Sequence, residues 1–313
     1  MPPSDAWIRR RSQGTSGRVL TGAYVRRACI DIGSNTTRLL IAECGDGLVE
    51  VHQERAYTQL RRSVRDGGGL SSEKISEVVA VVEAQLARAR ELGSADVRGV
   101  ATAAIRRAGN RDALVAAIHD ACGLEIVVLS EDEEARMAFL GAAGTLDHAP
   151  AGELGVVDVG GGSSELVVGT APDKVRWSTS FAIGSGDLAD ECLRSDPPSE
   201  SELHAAKAHV AAALSGIDVP RPTEAVAVGG TATSLRRFAG PLLDSAAFDR
   251  SLSLLASERA ADIAERFALD VERVRLLPAG LLILQGASEL LGAALQIGRG
   301  GLREGVLLEA SRD

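Results

Sequence analysis

Residues 31–40 read DIGSNTTRLL and residues 158–167 read DVGGGSSELV. Each stretch places Asp, an apolar residue and Gly ahead of small polar residues, then returns to an apolar run. Turns of this composition leave main-chain N–H groups uncovered, because Gly admits positive φ and lets a ligand approach the backbone. Successive N–H groups pointing one way form a nest for an anion, with phosphate a common occupant. Residues 33–37 and 160–164 both fit this reading. Residues 229–233 (GGTAT) fit it too, at the start of a helical pattern, where the helix N-terminus also favours an anion. One such turn would signify no more than a tight hairpin. Three, two of them Asp-led near-duplicates, point to phosphate chemistry. Other phosphate signatures are absent: there is no GxxxxGK[ST] and no GxGxxG after a strand, and HExxH and GxSxG are missing as well.

The turns need buried strands to hold them. Residues 28–32 and 39–43 flank the first turn, with a further strand-like segment at 48–52, and residues 154–158 and 165–168 flank the second. Ile75, Val78, Val79, Val82 and Leu86 share one helical face, with Ser71 as N-cap and Gly93 as stop. VRGVATAA reads as a buried strand running into a polar turn at 105–110, where Asn110 caps a short helix holding Leu114 and Ile118. EIVVLS is a strand, and SEDEEARMAFLGAA a helix with a Ser130–Glu133 capping box. Residues 145–152 form the weakest link. Beyond the second turn, Ser199 and Glu202 repeat the capping box, EAVAVGGTATSLRRF reads strand, glycine turn, helix, and residues 250–269 are mostly helical. An apolar helix with Pro278 in its first turn follows, then a strand, a glycine turn and a last helix. Strands and helices alternate in two similar halves, the mark of an α/β fold. Residues 28–147 form a first lobe with one phosphate loop, and residues 148–313 a second lobe with the other, whose final helix can pack back on the first. Residues 1–27, basic and rich in Gly, Ser and Arg, read as a flexible extension.

Composition narrows the partners. Only 3% of the 313 residues are aromatic against 45% hydrophobic, so Ala, Val, Leu and Ile must build the core. A net charge of −9 argues against nucleic acid, which needs a broad basic face. It leaves room for an anionic ligand held by local Arg residues, N–H groups or a metal. Cys29, Cys44, Cys122 and Cys192 make no CxxC pair and no zinc spacing, so a reducing cytoplasm is expected. No apolar run reads as the roughly 18 residues a membrane span requires.

DIGSNTTRLLIAE, ATAAIRRAGN, LSEDEEARMAFLG, VVDVGGGSSELVVG and GRGGLREGVLLE resemble, in this order, the motifs of the exopolyphosphatase/guanosine-pentaphosphatase (Ppx/GppA) phosphatases. The resemblance covers roughly residues 28–313 and is specific, since five motifs fall in order at matching spacing. It implies a two-lobed actin/sugar-kinase/Hsp70-like (ribonuclease H-like) fold with an interdomain active-site cleft. It also reads as a short form without the long C-terminal helical domain of some members. The resemblance assigns phosphate contacts to Gly33, Ser34, Asn35 and Thr36 in the first loop and to Gly160, Gly161, Gly162 and Ser163 in the second. Arg38 follows the first loop directly. Glu134 matches the family's catalytic glutamate, and the first turn of a capped helix should favour its ionised form. Arg106 matches a phosphate-binding arginine that can fork onto two phosphate oxygens. Asp158 and Glu165 match acidic residues tied to metal or catalysis. A polyphosphate is too anionic to meet bare carboxylates, so a divalent cation is expected at Asp31, Asp158 and Glu165, with Mg²⁺ (or Mn²⁺) the natural candidate. Arg61, Arg62, Arg65, Arg107, Arg299 and Arg303 read as surface charge or helix capping at least as readily as channel residues.

The leading function is therefore a metal-dependent exopolyphosphatase that releases terminal orthophosphate from inorganic polyphosphate by water attack. Guanosine pentaphosphate is the runner-up substrate. An ATP-dependent kinase or ATPase of the same superfold and a catalytically weak polyphosphate- or alarmone-binding protein are the competing classes. Relatives commonly dimerise, so a homodimer belongs to the expectation, although the sequence leaves the oligomeric state open.

Overall fold

The computed structural model describes residues 24–312 other than residue 46, with side chains described throughout except at 65–67. Arg65 and residues 1–23 of the expected N-terminal extension thus lie outside what can be described. In chain order the elements are β1 Val25–Ile32, β2 Thr37–Cys44, β3 Leu48–Ala56, α1 Leu60–Gly67, α2 Ser72–Glu91, β4 Asp96–Ala101, α3 Ala103–Arg107, α4 Arg111–Cys122, β5 Ile126–Val128 and α5 Glu131–Gly144. The second lobe continues with β6 Glu153–Val159, β7 Ser164–Thr170, β8 Lys174–Phe181, α6 Ser185–Cys192, α7 Glu200–Ala213, β9 Glu224–Val228, α8 Gly229–Ala239 and β10 Leu242–Leu243. It closes with α9 Ser245–Ser257, α10 Ala260–Phe267, α11 Val271–Val274, α12 Leu277–Leu291, β11 Leu295–Ile297 and α13 Leu302–Glu309.

The two sheets repeat one another. Their orders are β3-β2-β1-β4-β5 and β8-β7-β6-β9-β11-β10, with an antiparallel three-stranded meander continued by a parallel strand in each. This duplication is the actin-like arrangement. Parallel neighbours need a crossover, which α1–α2 supply in one lobe and α6–α7 in the other. β1 is apolar at Ala28–Ile30 and Ile32, where both its faces are covered. Ala28, Ile30 and Ile32 join Val78, Val82, Leu86, Leu114 and Ile118 from α2 and α4, while Cys29 points the other way, toward Leu302, Val306 and Leu307 of α13. The final helix therefore lies against the first sheet.

α5 sits between the sheets. Ala135, Phe139 and Ala142, at helical spacing, pack on Leu154, Val156, Val167 and Val226 of the second sheet. Met137 faces the first sheet and α13. α5 and α13 approach so closely that a Cβ on Gly141 would overlap Gly301 O and Gly305 N, and one on Gly305 would overlap the Met137 backbone. This packing, together with the Ser130–Glu133 capping box, sets the start of α5 at the cleft. Ser71 and Ser199 also cap as their spacing predicts, and Pro278 lies in the first turn of α12.

Several local expectations change. β1 begins at Val25, inside the stretch read as extension, because Arg26 pairs with Glu43 across the sheet at 2.5 Å and Arg27 with Asp96 at 2.9 Å. Most of the expected turn at 105–110 is taken by the helix α3 and its end. Asn110 does not cap α4 with its side chain. Its Oδ1 accepts from Leu70 N at 2.8 Å and its Nδ2 donates to Leu70 O at 2.9 Å, satisfying a distant backbone pair instead. The helical stretch Val271–Leu291 is long and apolar enough to span a membrane by length and composition, but 67% of its apolar window is buried within the lobe, as in a core helix. All four cysteines are free thiols.

Candidate active site

The two Asp-led turns adopt the same geometry. Gly33 N donates to Thr36 O at 3.0 Å, and Gly160 N donates to Ser163 O at 3.0 Å. Between these pins, the loop carbonyls are tied back to the protein. In the first loop, Arg61 N donates to Ser34 O at 2.8 Å and Gln59 N to Asn35 O at 3.0 Å. In the second, Ser185 N donates to Gly160 O at 2.9 Å, while Gly186 N and Asp187 N donate to Gly161 O at 3.0 and 3.1 Å. Arg107 Nη2 donates to Gly162 O at 3.0 Å. A trans peptide points its C=O and the following N–H in opposite directions. Holding these carbonyls on the protein side therefore turns the N–H groups of Asn35, Thr36, Gly161, Gly162 and Ser163 the other way, on loops that line the cleft. Among the described residues none of these five N–H groups makes a hydrogen bond within the protein. They are donors in want of an acceptor, on two facing turns.

The loops touch. A Cβ on Gly161 would lie 3.3 Å from Asn35 Cβ, and one on Gly162 would lie 2.8 Å from Ser34 Oγ. Gly33, Ser34, Asn35, Thr36, Gly160, Gly161, Gly162 and Ser163 all line one cleft of ≈ 540 Å³, together with Asp31, Arg38, Glu134, Asp158 and Glu165. The third glycine turn lines it as well. α8 begins at Gly229 (φ +83°), where a Cβ would overlap Asp158 Oδ1, so glycine leaves room for that carboxylate. A second cavity of ≈ 310 Å³ lies behind Asn35 and Arg61 and contains none of the cleft carboxylates.

The floor of the cleft is acidic. Asp158 and Glu165 are direct cross-strand partners of β6 and β7, so their side chains share a face. In the first lobe the equivalent pair is Asp31 with Arg38. Asp158 is pushed up to about 6, first by burial and then by Asp31 and Glu304, against the pull of Arg38 and Arg303. Glu165, 2% exposed, rises well above the usual carboxylate range through burial and through Glu134 and Asp158, despite accepting from Ser180 Oγ at 3.1 Å. Asp31 is likewise raised by burial, and its Oδ1 is buried with no hydrogen-bond partner. Among the described residues no three His, Cys, Asp or Glu side chains form a ready-made metal cage. Mg²⁺ needs no cage: it binds through one or two carboxylates together with phosphate oxygens and water. Two hard carboxylates side by side and an orphaned carboxylate oxygen fit such an ion.

Glu134 is 7% exposed at the first turn of α5, and Arg106 Nη1 donates to its Oε2 at 2.9 Å. The same nitrogen donates to Leu129 O at 2.7 Å, and Arg106 lies 3.8 Å from Glu131. The helix terminus does not keep Glu134 low, as its position in the sequence implies. Burial dominates and lifts it to about 7, with Arg106 pulling against it. Arg106 thus touches the candidate base itself.

Other arginines leave the surface role that the sequence suggests for them. Arg303 donates to Leu39 O at 3.3 Å and lines the cleft. Arg61 is buried, donates to Gly186 O at 3.0 Å and pairs with Asp190 across the lobes. Arg299 also lines the cleft, although it pairs with Asp147 and is half exposed. Arg55 and Arg273 also line the cleft, and burial first, then the Arg303, Arg273 and Arg55 charges, lowers Arg38 to about 9. At neutral pH Arg38 stays protonated, so four guanidinium groups face one another around a space that a polyanion could fill. Arg55 lies on β3 and Arg273 on α11, far apart in sequence, and no local pattern marks either.

Fold and site together define a two-lobed actin-like protein with a turn of unpaired main-chain N–H groups on each lobe. The chain belongs to the Ppx/GppA phosphatase family, whose sequence profile matches residues 40–312. It is 34% identical over 257 residues to exopolyphosphatase 2 of Mycobacterium tuberculosis, covering 78% of this chain and 79% of that one. The guanosine-5′-triphosphate,3′-diphosphate pyrophosphatase of Vibrio atlanticus is 27% identical over 295 residues, covering 90% of this chain and 58% of that one. The crystal structure of the Aquifex aeolicus Ppx/GppA family member superposes with a TM-score of 0.79 at 30% identity, over 93% of this chain and 98% of that one.

Proposed function

We propose that this protein is an exopolyphosphatase that releases orthophosphate from the end of inorganic polyphosphate by attack of water. The observation that supports this reading is the convergence of two amide cradles, one per lobe, on the cleft that Glu134 lines, with Arg106 hydrogen-bonded to that glutamate. Cradle N–H groups and the Arg38, Arg55, Arg273 and Arg303 guanidinium groups complement a chain of negative phosphates far better than a neutral substrate. Glu134, once ionised, orients the water and takes its proton as the oxygen bonds to the terminal phosphorus. The bond from that phosphorus to its bridging oxygen breaks, and the electron pair leaves with the shortened chain. A phosphate oxyanion is a stable leaving group and needs no general acid, consistent with a cleft that no histidine lines among the described residues. Arg106 forks onto the transferring phosphoryl while it holds Glu134.

Asp31, Asp158 and Glu165 would hold Mg²⁺ (or Mn²⁺), which when bound supplies positive charge to the phosphate oxygens and offsets the acidic floor. Four free thiols accord with a reducing cytoplasm. A substrate panel tests the reading: orthophosphate release from long polyphosphate, short polyphosphate, guanosine pentaphosphate and ATP, with and without Mg²⁺. Metal-dependent release that is fastest from polyphosphate is expected. Preference for guanosine pentaphosphate would transfer the site to the runner-up substrate, preference for ATP would support the nucleotide class, and binding of polyphosphate without release would make the chain a sensor.

A further inference from the structure

Five carbonyls are held back to present the cradle N–H groups, and four of them are held from within their own lobe. Gln59 and Arg61 hold the first loop, and the N-terminus of α6 holds Gly160 and Gly161 of the second. Gly162 is the exception. Its carbonyl accepts from Arg107, which belongs to α3 of the first lobe. Ser163, whose N–H depends on that peptide, is therefore oriented from across the cleft.

The local chemistry supports a built contact. Arg107 Nε donates to Ala103 O one turn earlier, at 3.3 Å, which fixes the direction of the side chain. Its Nη2 lies 3.5 Å from Asp187 Oδ2 in the first turn of α6, so one guanidinium reaches both the second loop and the helix that holds the rest of it. A Cβ on Gly162 would lie 2.5 Å from Nη2, so glycine at this position is what admits the guanidinium. Arg106 and Arg107 are consecutive on a five-residue helix and so diverge by about 100° around its axis. One reaches Glu134 and the other reaches the opposite phosphate loop. A single short helix thereby sets the spacing between the candidate base and the second cradle.

We infer that Arg107 is a positioning residue that completes the second cradle only when the lobes are together, by holding the Gly162 carbonyl so that Ser163 N–H faces the phosphate. Separation of the lobes breaks the contact and frees the peptide, so closure and phosphate binding are coupled through this side chain. Arg107 is 44% exposed at its side chain and its ion pair is a surface pair, so removing it should leave the fold intact. The kinetic consequence rests on the hydrolytic reading above, whereas the binding consequence does not.

The test compares the intact chain with Arg107→Ala, Arg107→Lys and Arg90→Ala, the last being an equal charge loss on an exposed face of α2. Methylenediphosphonate, which cannot be hydrolysed at its bridging carbon, is the binding probe, used with Mg²⁺ and read by titration calorimetry. Polyphosphate turnover and the thermal midpoint are measured on the same samples. In Arg107→Ala, probe affinity should fall roughly fivefold and kcat roughly tenfold, with an unchanged midpoint. Arg107→Lys keeps one donor and should recover most of both losses, and Arg90→Ala should match the intact chain. The inference is overturned if Arg107→Ala equals the intact chain, if Arg90→Ala loses as much, or if Arg107→Lys recovers neither quantity. Probe binding that follows this pattern in a chain that hydrolyses nothing would sink the hydrolytic reading and leave the brace standing. Failure of the intact chain to bind the probe would overturn both.

Discussion

Replacing Arg106 by Gln separates the two tasks assigned to that arginine. Glu134 must be ionised to accept the proton of water, so turnover follows its deprotonated fraction and rises with pH. With Glu134 at about 7, that fraction is about one-tenth at pH 6, about half at pH 7 and about nine-tenths at pH 8. Burial pushes the group up, and the 2.9 Å hydrogen bond from Arg106 is the main force pulling it down. A charge-assisted hydrogen bond of this kind contributes about 1.5–3 kcal/mol, or about 1–2 pH units. Arg106→Gln should therefore move the acid limb of kcat/KM from about 7 to about 8–9. At pH 7 the active fraction falls from about half to between about one-tenth and about one-hundredth, and it recovers in alkaline buffer. A lower plateau would report the separate loss of a phosphate contact. The assay is initial-rate orthophosphate release from polyphosphate between about pH 5.5 and about 9.5, at fixed Mg²⁺ and ionic strength. A limb that stays near 7, or moves to lower pH, refutes the coupling of Arg106 to the base.

Three further outcomes follow from packing and burial. Glu165 has a folded-state pKa raised above its ordinary 4.5, so its contribution to stability is present at low pH and is lost as pH rises through the folded value. Glu165→Gln removes that loss, and the metal-free variant should melt later than the intact chain at alkaline pH but show no gain at acid pH; a pH-independent difference would contradict the assignment. Gly141→Ala drives a methyl group into the α13 backbone and should cost about 3 kcal/mol in urea unfolding, with wild-type stability ruling out the close α5–α13 approach. Ser130→Ala removes the acceptor for Glu133 N at 3.3 Å and should cost about 1 kcal/mol on the same measurement, unless α5 is held at the cleft by packing alone.

The parts legible in the sequence are those carried by local chemistry. The Asp-led glycine turns stand out because small residues interrupt apolar strand segments, and both take the same hydrogen-bonded form. Ser71, Ser130 and Ser199 are readable as caps because a cap is a contact over three residues. What escapes is what tertiary contact decides. Asn110 has the residue type and place of a cap, but the backbone of Leu70, 40 positions away, takes its side chain. Arg61, Arg107 and Arg303 resemble any surface arginine until the lobes close around them, and α1, β8 and α6 are too short or too polar to stand out. Glu134 shows the limit most clearly. A helix N-terminus favours its ionised form by at most about 1–2 kcal/mol, and that preference yields to burial, which no local pattern encodes.

The central claim is that the two cradles hold a phosphate chain whether or not Glu134 can take a proton. Glu134→Gln tests it most directly, because the substitution keeps the shape of the side chain and removes only its capacity to act as base. Polyphosphate binding to this variant, measured beside its orthophosphate release, should be retained while release is lost by several orders of magnitude. Undiminished release would remove Glu134 from the reaction, and loss of binding together with release would show that the cradles do not hold the chain on their own.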